Sequence, residues 1–124
     1  MLKDTFFTIN SFVDSENGRT YHISLNGSHP IFLAHFAGNP IIPGACIVQL
    51  IKELSADFFD NFFFISAVKN MKFLHSISPL DSPEISVQLS FTKLENEHCV
   101  VAAVLKNDEK IFTKSILLLN NIKK

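Results

Sequence analysis

From Ala45 to Phe59 the residues Ala45, Cys46, Ile47, Val48, Leu50, Ile51, Leu54, Phe58 and Phe59 cover most of a helical circumference. A helix with so little polar surface has to be wrapped by other structure. Gln49, Lys52 and Glu53 interrupt the coat on one side. The wrapper is legible downstream, where Ile85, Val87, Leu89 and Phe91 alternate with Ser86, Gln88, Ser90 and Thr92. That period of two gives a strand with one face turned inward.

The other elements follow from the same two periods and from turn chemistry. Asp4 to Val13 reads as a strand, Asp14 to Gly18 as a turn and Arg19 to Leu25 as the partner strand, because Asn-Gly beside alternating residues is a strong hairpin signal. Asn26 to Pro43 reads as loop, and the helix ends where Asp60-Asn61 breaks the pattern. Phe62 to Ile77 forms a long strand, Ser78 to Pro83 a turn, and Cys99 to Lys106 and Ile111 to Leu119 the last two strands. One long helix after a first hairpin and before an antiparallel meander is an α+β arrangement. With 124 residues the chain forms a single domain, 1–124, able to bury roughly two thirds of its unfolded surface.

Composition removes several classes of function. The net charge of −1 argues against a nucleic-acid binder, which would show a clustered basic excess. The early Asp4 and the lack of an apolar run of ~18 residues give the expectation of a soluble, cytoplasmic protein without a membrane span. Cys46 and Cys99 are the two cysteines and form no CxxC pair, so both read as small core hydrophobes in a reducing compartment, with Cys46 at the helix start weighed as a nucleophile and set aside. His22, His29, His75 and His98 stand at no spacing that suits a helical zinc site, and no metal is expected.

His35 is different. Pro40 and Pro43 stiffen the loop that follows it, and Gly38 and Gly44 permit close backbone approaches. A helix that opens at the Pro43-Gly44 step also offers free N–H groups and the positive end of its dipole, which suits an oxygen gaining negative charge.

At these residues the chain resembles the β-hydroxyacyl-ACP dehydratases of the FabZ type. Phe32, His35, Phe36, Gly38, Pro40, Pro43 and Gly44 fall on the pattern F-x-x-H-F-x-G-x-P-x-x-P-G, and Asn70, Lys72, Phe73, Pro79 and Asp81 on a second one, N-x-[RK]-F-x-x-x-V-x-P-x-D. The likeness runs from about Tyr21 to Leu119. It implies a hot-dog fold, an antiparallel sheet wrapped around one long central helix, and dehydration of β-hydroxyacyl thioesters to trans-2-enoyl thioesters in fatty acid or related acyl-chain biosynthesis, with no cofactor. His35 then removes the proton next to the thioester carbonyl, the N–H groups of Gly44 and Ala45 hold the enolate oxygen, and Phe32, Phe36 and Pro43 border the substrate. Lys72 is the expected contact for an acidic acyl carrier protein, and the acyl group arrives on that carrier or on CoA. The likeness also implies a homodimer or higher homo-oligomer, in keeping with thirteen Phe and 47% hydrophobic residues in so small a chain. The run Phe58 to Phe64 belongs to an acyl tunnel, an interface or the core.

The chain departs from the family's usual residues at Ala37, where Pro is usual, at Asn39, where Arg is frequent, at Leu80, which takes the place of Gly, and most consequentially at Gln49. Fourteen residues after its histidine the family carries Glu or Asp, and an amide does not do a carboxylic acid's proton transfer. Related dehydratases often place the acid here and a Gln one turn later; this chain has Gln49 and then Glu53. Three readings follow: Glu53 acts as the acid through a water held by Gln49; the chain is a non-catalytic acyl-thioester binding or partner subunit; or it is a hot-dog thioesterase.

Overall fold

The computed structural model describes residues 2–34, 40–61, 63–94 and 98–121. Six strands, β1 (Phe7–Ser15), β2 (Gly18–Leu25), β3 (Phe63–Phe73), β4 (Glu84–Lys93), β5 (His98–Lys106) and β6 (Ile111–Asn121), form one sheet in the order β1-β2-β4-β5-β6-β3. Every pairing is antiparallel. A four-residue helix α1 (Ile31–Ala34) and the long helix α2 (Gly44–Phe59) lie between β2 and β3. This is the hot-dog arrangement that the sequence leads one to expect.

The core sits between α2 and one face of the sheet. Tyr21 and Ile23 of β2, Ile85, Val87 and Leu89 of β4, Val101, Ala103 and Leu105 of β5, and Leu117 and Leu119 of β6 alternate inward and are buried. They meet Cys46, Ile47, Leu50, Ile51 and Leu54 of the helix, each large apolar side chain adding about 1.5–3 kcal/mol by leaving water. The wrapping is one-sided: Ala45 is exposed and Val48, Phe58 and Phe59 are half-buried. Asp60 closes α2 in the left-handed conformation (φ 51°, ψ 46°), its N–H donating to the Ala56 carbonyl.

Four local expectations are corrected. The hairpin turn is Glu16-Asn17, with Gly18 already in β2 opposite Ser15. The first strand begins at Phe7, because residues 2–6 turn back on themselves with the Phe6 N–H on the Leu2 carbonyl (2.7 Å). The expected loop 26–43 contains α1. β3 stops at Phe73, after which Leu74 and His75 donate to the Phe112 carbonyl and leave the ladder.

Tyr21 ties β2 to the far end of the helix. Its hydroxyl donates to Asp57 (2.7 Å) beside the Leu54 carbonyl, and the Arg19 guanidinium donates to the same hydroxyl (3.2 Å). Burial, reinforced by Asp57, pushes the phenol well above its ordinary range and keeps it neutral. No helix among the described residues is long and apolar enough to cross a membrane.

Candidate active site

The start of α2 is built by Pro43, whose extended backbone (φ −63°, ψ 147°) turns its carbonyl to accept from Cys46 and Ile47 (3.0 and 3.2 Å). The N–H groups of Gly44 and Ala45 make no hydrogen bond among the described residues. They are the orphan donors of a helix terminus. Gly44 is there for space as well: a Cβ would stand 3.1 Å from Cζ of Phe73. Beside this helix start opens a cleft of about 290 Å³, lined by Ile41, Ile42, Gly44, Ile47, Phe73, Leu74, His75, Ser76 and Ile77. The Ile42 N–H donates to the Ile77 carbonyl (2.9 Å), pinning the loop to the segment after β3 and so holding the two sequence patterns together.

His35 and Phe36, with Gly38, lie outside the described residues. Phe32 is buried and stacks on Phe6 (centroids 5.6 Å apart), in the core rather than in the cleft. Pro43 and Ala45 stand at the helix start with Gly44. Lys72 is exposed on β3, directly opposite Lys114 of β6, where both border a shallow groove of about 240 Å³ on the sheet.

Gln49 and Glu53 meet without an intervening water. The Gln49 amide donates to Glu53 Oε2 at 2.8 Å. The same carboxylate accepts the Leu2 N–H at 2.7 Å and the Lys3 N–H at 2.8 Å, and Glu53 is only 7% exposed. Among the described residues it makes no ion pair, and it fastens the N-terminal segment, whose Phe6 and Phe7 are buried, onto α2. The sequence holds no signal for this contact, because two of the three donors are backbone groups about fifty residues away.

Burial pushes the Cys46 thiol up, the opposite of what a nucleophile needs. Phe58, Phe59 and Phe63 gather with Phe91 at the other end of α2, with centroids 4.7–5.4 Å apart. A larger cleft of about 370 Å³ opens there, between Phe59, Phe63, Lys93, Leu94, His98 and Cys99. It has no free helix-start donors, and the smaller cleft is the better candidate for chemistry.

Residues 12–114 match the model of the ApeI-like family, described as ApeI dehydratase. The chain is 26% identical over 69 residues to a 3-hydroxyacyl-[acyl-carrier-protein] dehydratase FabZ of Thermomicrobium roseum, and 32% identical over 79 residues to that of Latilactobacillus sakei. These matches take in 50% and 58% of this chain, and it spans about half the length of those two relatives, 46% and 55%. Its fold is similar to that of the dehydratase heterocomplex ApeI:P from Xenorhabdus doucetiae, with a TM-score of 0.66 at 13% identity over 91% of this chain and 96% of the other. By the extent of the family match, which takes in the helix start and the Gln49 position, the chain belongs to the ApeI-like dehydratase family.

Proposed function

We propose that the chain dehydrates β-hydroxyacyl thioesters to trans-2-enoyl thioesters. The observation that carries this reading is the pair of N–H groups, Gly44 and Ala45, that make no hydrogen bond among the described residues, at a helix start whose Gly44 lines a cleft and which follows His35 by nine residues in the sequence. A thioester carbonyl seated on those donors acidifies its neighbouring carbon, and the enolate oxygen is stabilised as the C–H bond breaks. The proton goes to the His35 imidazole. Gln49 has none to give, so the imidazolium formed on His35 returns that proton to the β-hydroxyl as the C–O bond breaks and the double bond forms. Water leaves, and no oxidant or reductant enters the balance.

His35→Ala is expected to lower turnover of 3-hydroxybutyryl thioester by about 10²–10⁴ with the circular dichroism spectrum unchanged. Enoyl absorbance measures the rate. Wild-type turnover in the variant overturns the assignment, and release of free thiol instead of enoyl product marks a thioesterase.

A second reading has one specific observation in its favour: the acid position is an amide, so a partner would have to supply the acid. The similar Xenorhabdus structure is a dehydratase heterocomplex. β3 is an edge strand carrying exposed Phe64, Val68 and Phe73, the kind of edge that a second hot-dog chain would extend. Sedimentation of the chain alone is expected to give a homodimer; a monodisperse monomer at micromolar concentration overturns that and turns the search to a second subunit. Lys72 and Lys114, like charges placed opposite each other, would meet the acidic surface of an acyl carrier protein.

A further inference from the structure

Three donors converge on one buried carboxylate. Leu2 N–H and Gln49 Nε2 reach Glu53 Oε2, and Lys3 N–H reaches Oε1, all within 2.8 Å. A group approached by donors from every side is an acceptor, and an amide beside it has only one favourable orientation. Were Gln49 flipped, its carbonyl oxygen would face the carboxylate and two acceptors would repel. The contact therefore fixes which end of Gln49 is turned away from Glu53: the carbonyl oxygen Oε1, with one N–H beside it.

We infer that Glu53 is a positioning residue: it holds Gln49 so that the amide carbonyl accepts the hydrogen bond of the substrate's β-hydroxyl. This rests on the reading of the substrate as a β-hydroxyacyl thioester and goes beyond it, because it assigns recognition of the hydroxyl to position 49 and proton transfer elsewhere. A neutral acceptor suits recognition. It meets an O–H without competing for the proton, and a ligand lacking the hydroxyl leaves the carbonyl unpaired on a half-buried helix face. The N-terminal segment takes part indirectly, since its two N–H groups keep the carboxylate in place.

The test is binding, which separates this inference from catalysis. In a His35→Ala background, so that no chemistry intervenes, the N-acetylcysteamine thioesters of 3-hydroxybutyrate and butyrate are titrated by calorimetry. The hydroxy ligand is expected to bind roughly five- to tenfold more tightly, the size of one net hydrogen bond. Adding Glu53→Gln offers Gln49 a partner that donates as well as accepts, and the preference is expected to fall below about twofold. Adding Gln49→Glu to that variant restores a one-way pair with the roles reversed, and the preference is expected to return. A role in folding alone predicts a preference that neither change moves. Persistence of the preference in Glu53→Gln, its absence in the parent, or failure of the exchanged pair to restore it each overturns the inference. The Gln49 side-chain amide signals of the chain with native Gln49 and Glu53 give the same answer without any change at Glu53. They are expected to shift with the hydroxy ligand and stay with butyryl, and equal shifts overturn the assignment. A protein that shows the preference but never dehydrates overturns the proposed reaction and leaves this inference standing; one that dehydrates without the preference does the reverse.

Discussion

Exchanging the helix pair, Gln49→Glu together with Glu53→Gln, is expected to raise dehydration of 3-hydroxybutyryl thioester by about 10²–10⁴, the usual worth of a positioned proton donor. The exchange sets acid and amide in the order that the resemblance to FabZ-type dehydratases implies, and it keeps a hydrogen bond between the two positions, which are in direct contact at 2.8 Å. The single change Gln49→Glu does not have that freedom. It sets a second carboxyl against one that already accepts from Leu2, Lys3 and position 49 itself. Two charges at that spacing share a proton, and the new carboxyl is pushed above its ordinary value of about 4.3. The sign follows from linkage: a group whose pKa is raised by folding contributes stability below its unfolded value and loses it as pH climbs through the folded value. Thermal melts of the single variant are therefore expected to match wild type in mild acid and to fall away toward neutral pH, by about 1.4 kcal/mol for each unit of elevation. The exchanged pair is expected to show a flat profile. A single variant as stable at pH 8 as at pH 5 would mean that Gln49 and Glu53 do not meet in solution. A silent exchanged pair with an intact fold would place the missing acid somewhere other than position 49.

The frame that carries this site was legible in the sequence; the site residues were less so, since His35 and Phe36 lie outside the described residues and Phe32 packs on Phe6 in the core. The helix, its start at Pro43-Gly44, its end at Asp60 and the alternation of β4 follow from periods and turn chemistry that are local. Gln49 stands out only through the resemblance, which implies an acid at that position. What Glu53 does was hidden, because its partners are main-chain N–H groups that any residue would supply, brought up by a fold-back of residues 2–6. The same blindness extended the third strand four residues too far: Ile77 is fully buried, yet it sits in a segment that has already left the ladder. Hydrophobic spacing reports burial and does not separate a strand from a buried loop. The Asn17-Gly18 step, beside alternating residues, predicts a turn over Asp14 to Gly18. In the structure Gly18 is needed for a different reason.

Gly18→Ala is expected to destabilise the fold by more than about 4 kcal/mol, a size reserved for a backbone that has to move. Gly18 opens β2 at the point where that strand is sandwiched between β1 and β4, paired with Ser15 on one side and Ser90 on the other. A Cβ there would overlap the Leu89 carbonyl oxygen and crowd the Cα of Ser90, both main-chain atoms of a central strand that no rotamer change can relieve. Separating β2 from β4 would not stop at the hairpin. β2 carries Tyr21, whose hydroxyl holds Asp57 and the Leu54 carbonyl, so displacement of the strand also loosens the helix that bears Gln49. Gly27→Ala is the matched comparison: its nearest neighbour would be a Leu80 methyl at 3.4 Å, ordinary contact with a side chain that is itself exposed. That change is expected to cost less than about 1 kcal/mol. Urea unfolding followed by circular dichroism compares the two. Equal midpoints would show that β2 and β4 do not approach as closely as the pairing of Gly18 with Ser90 requires.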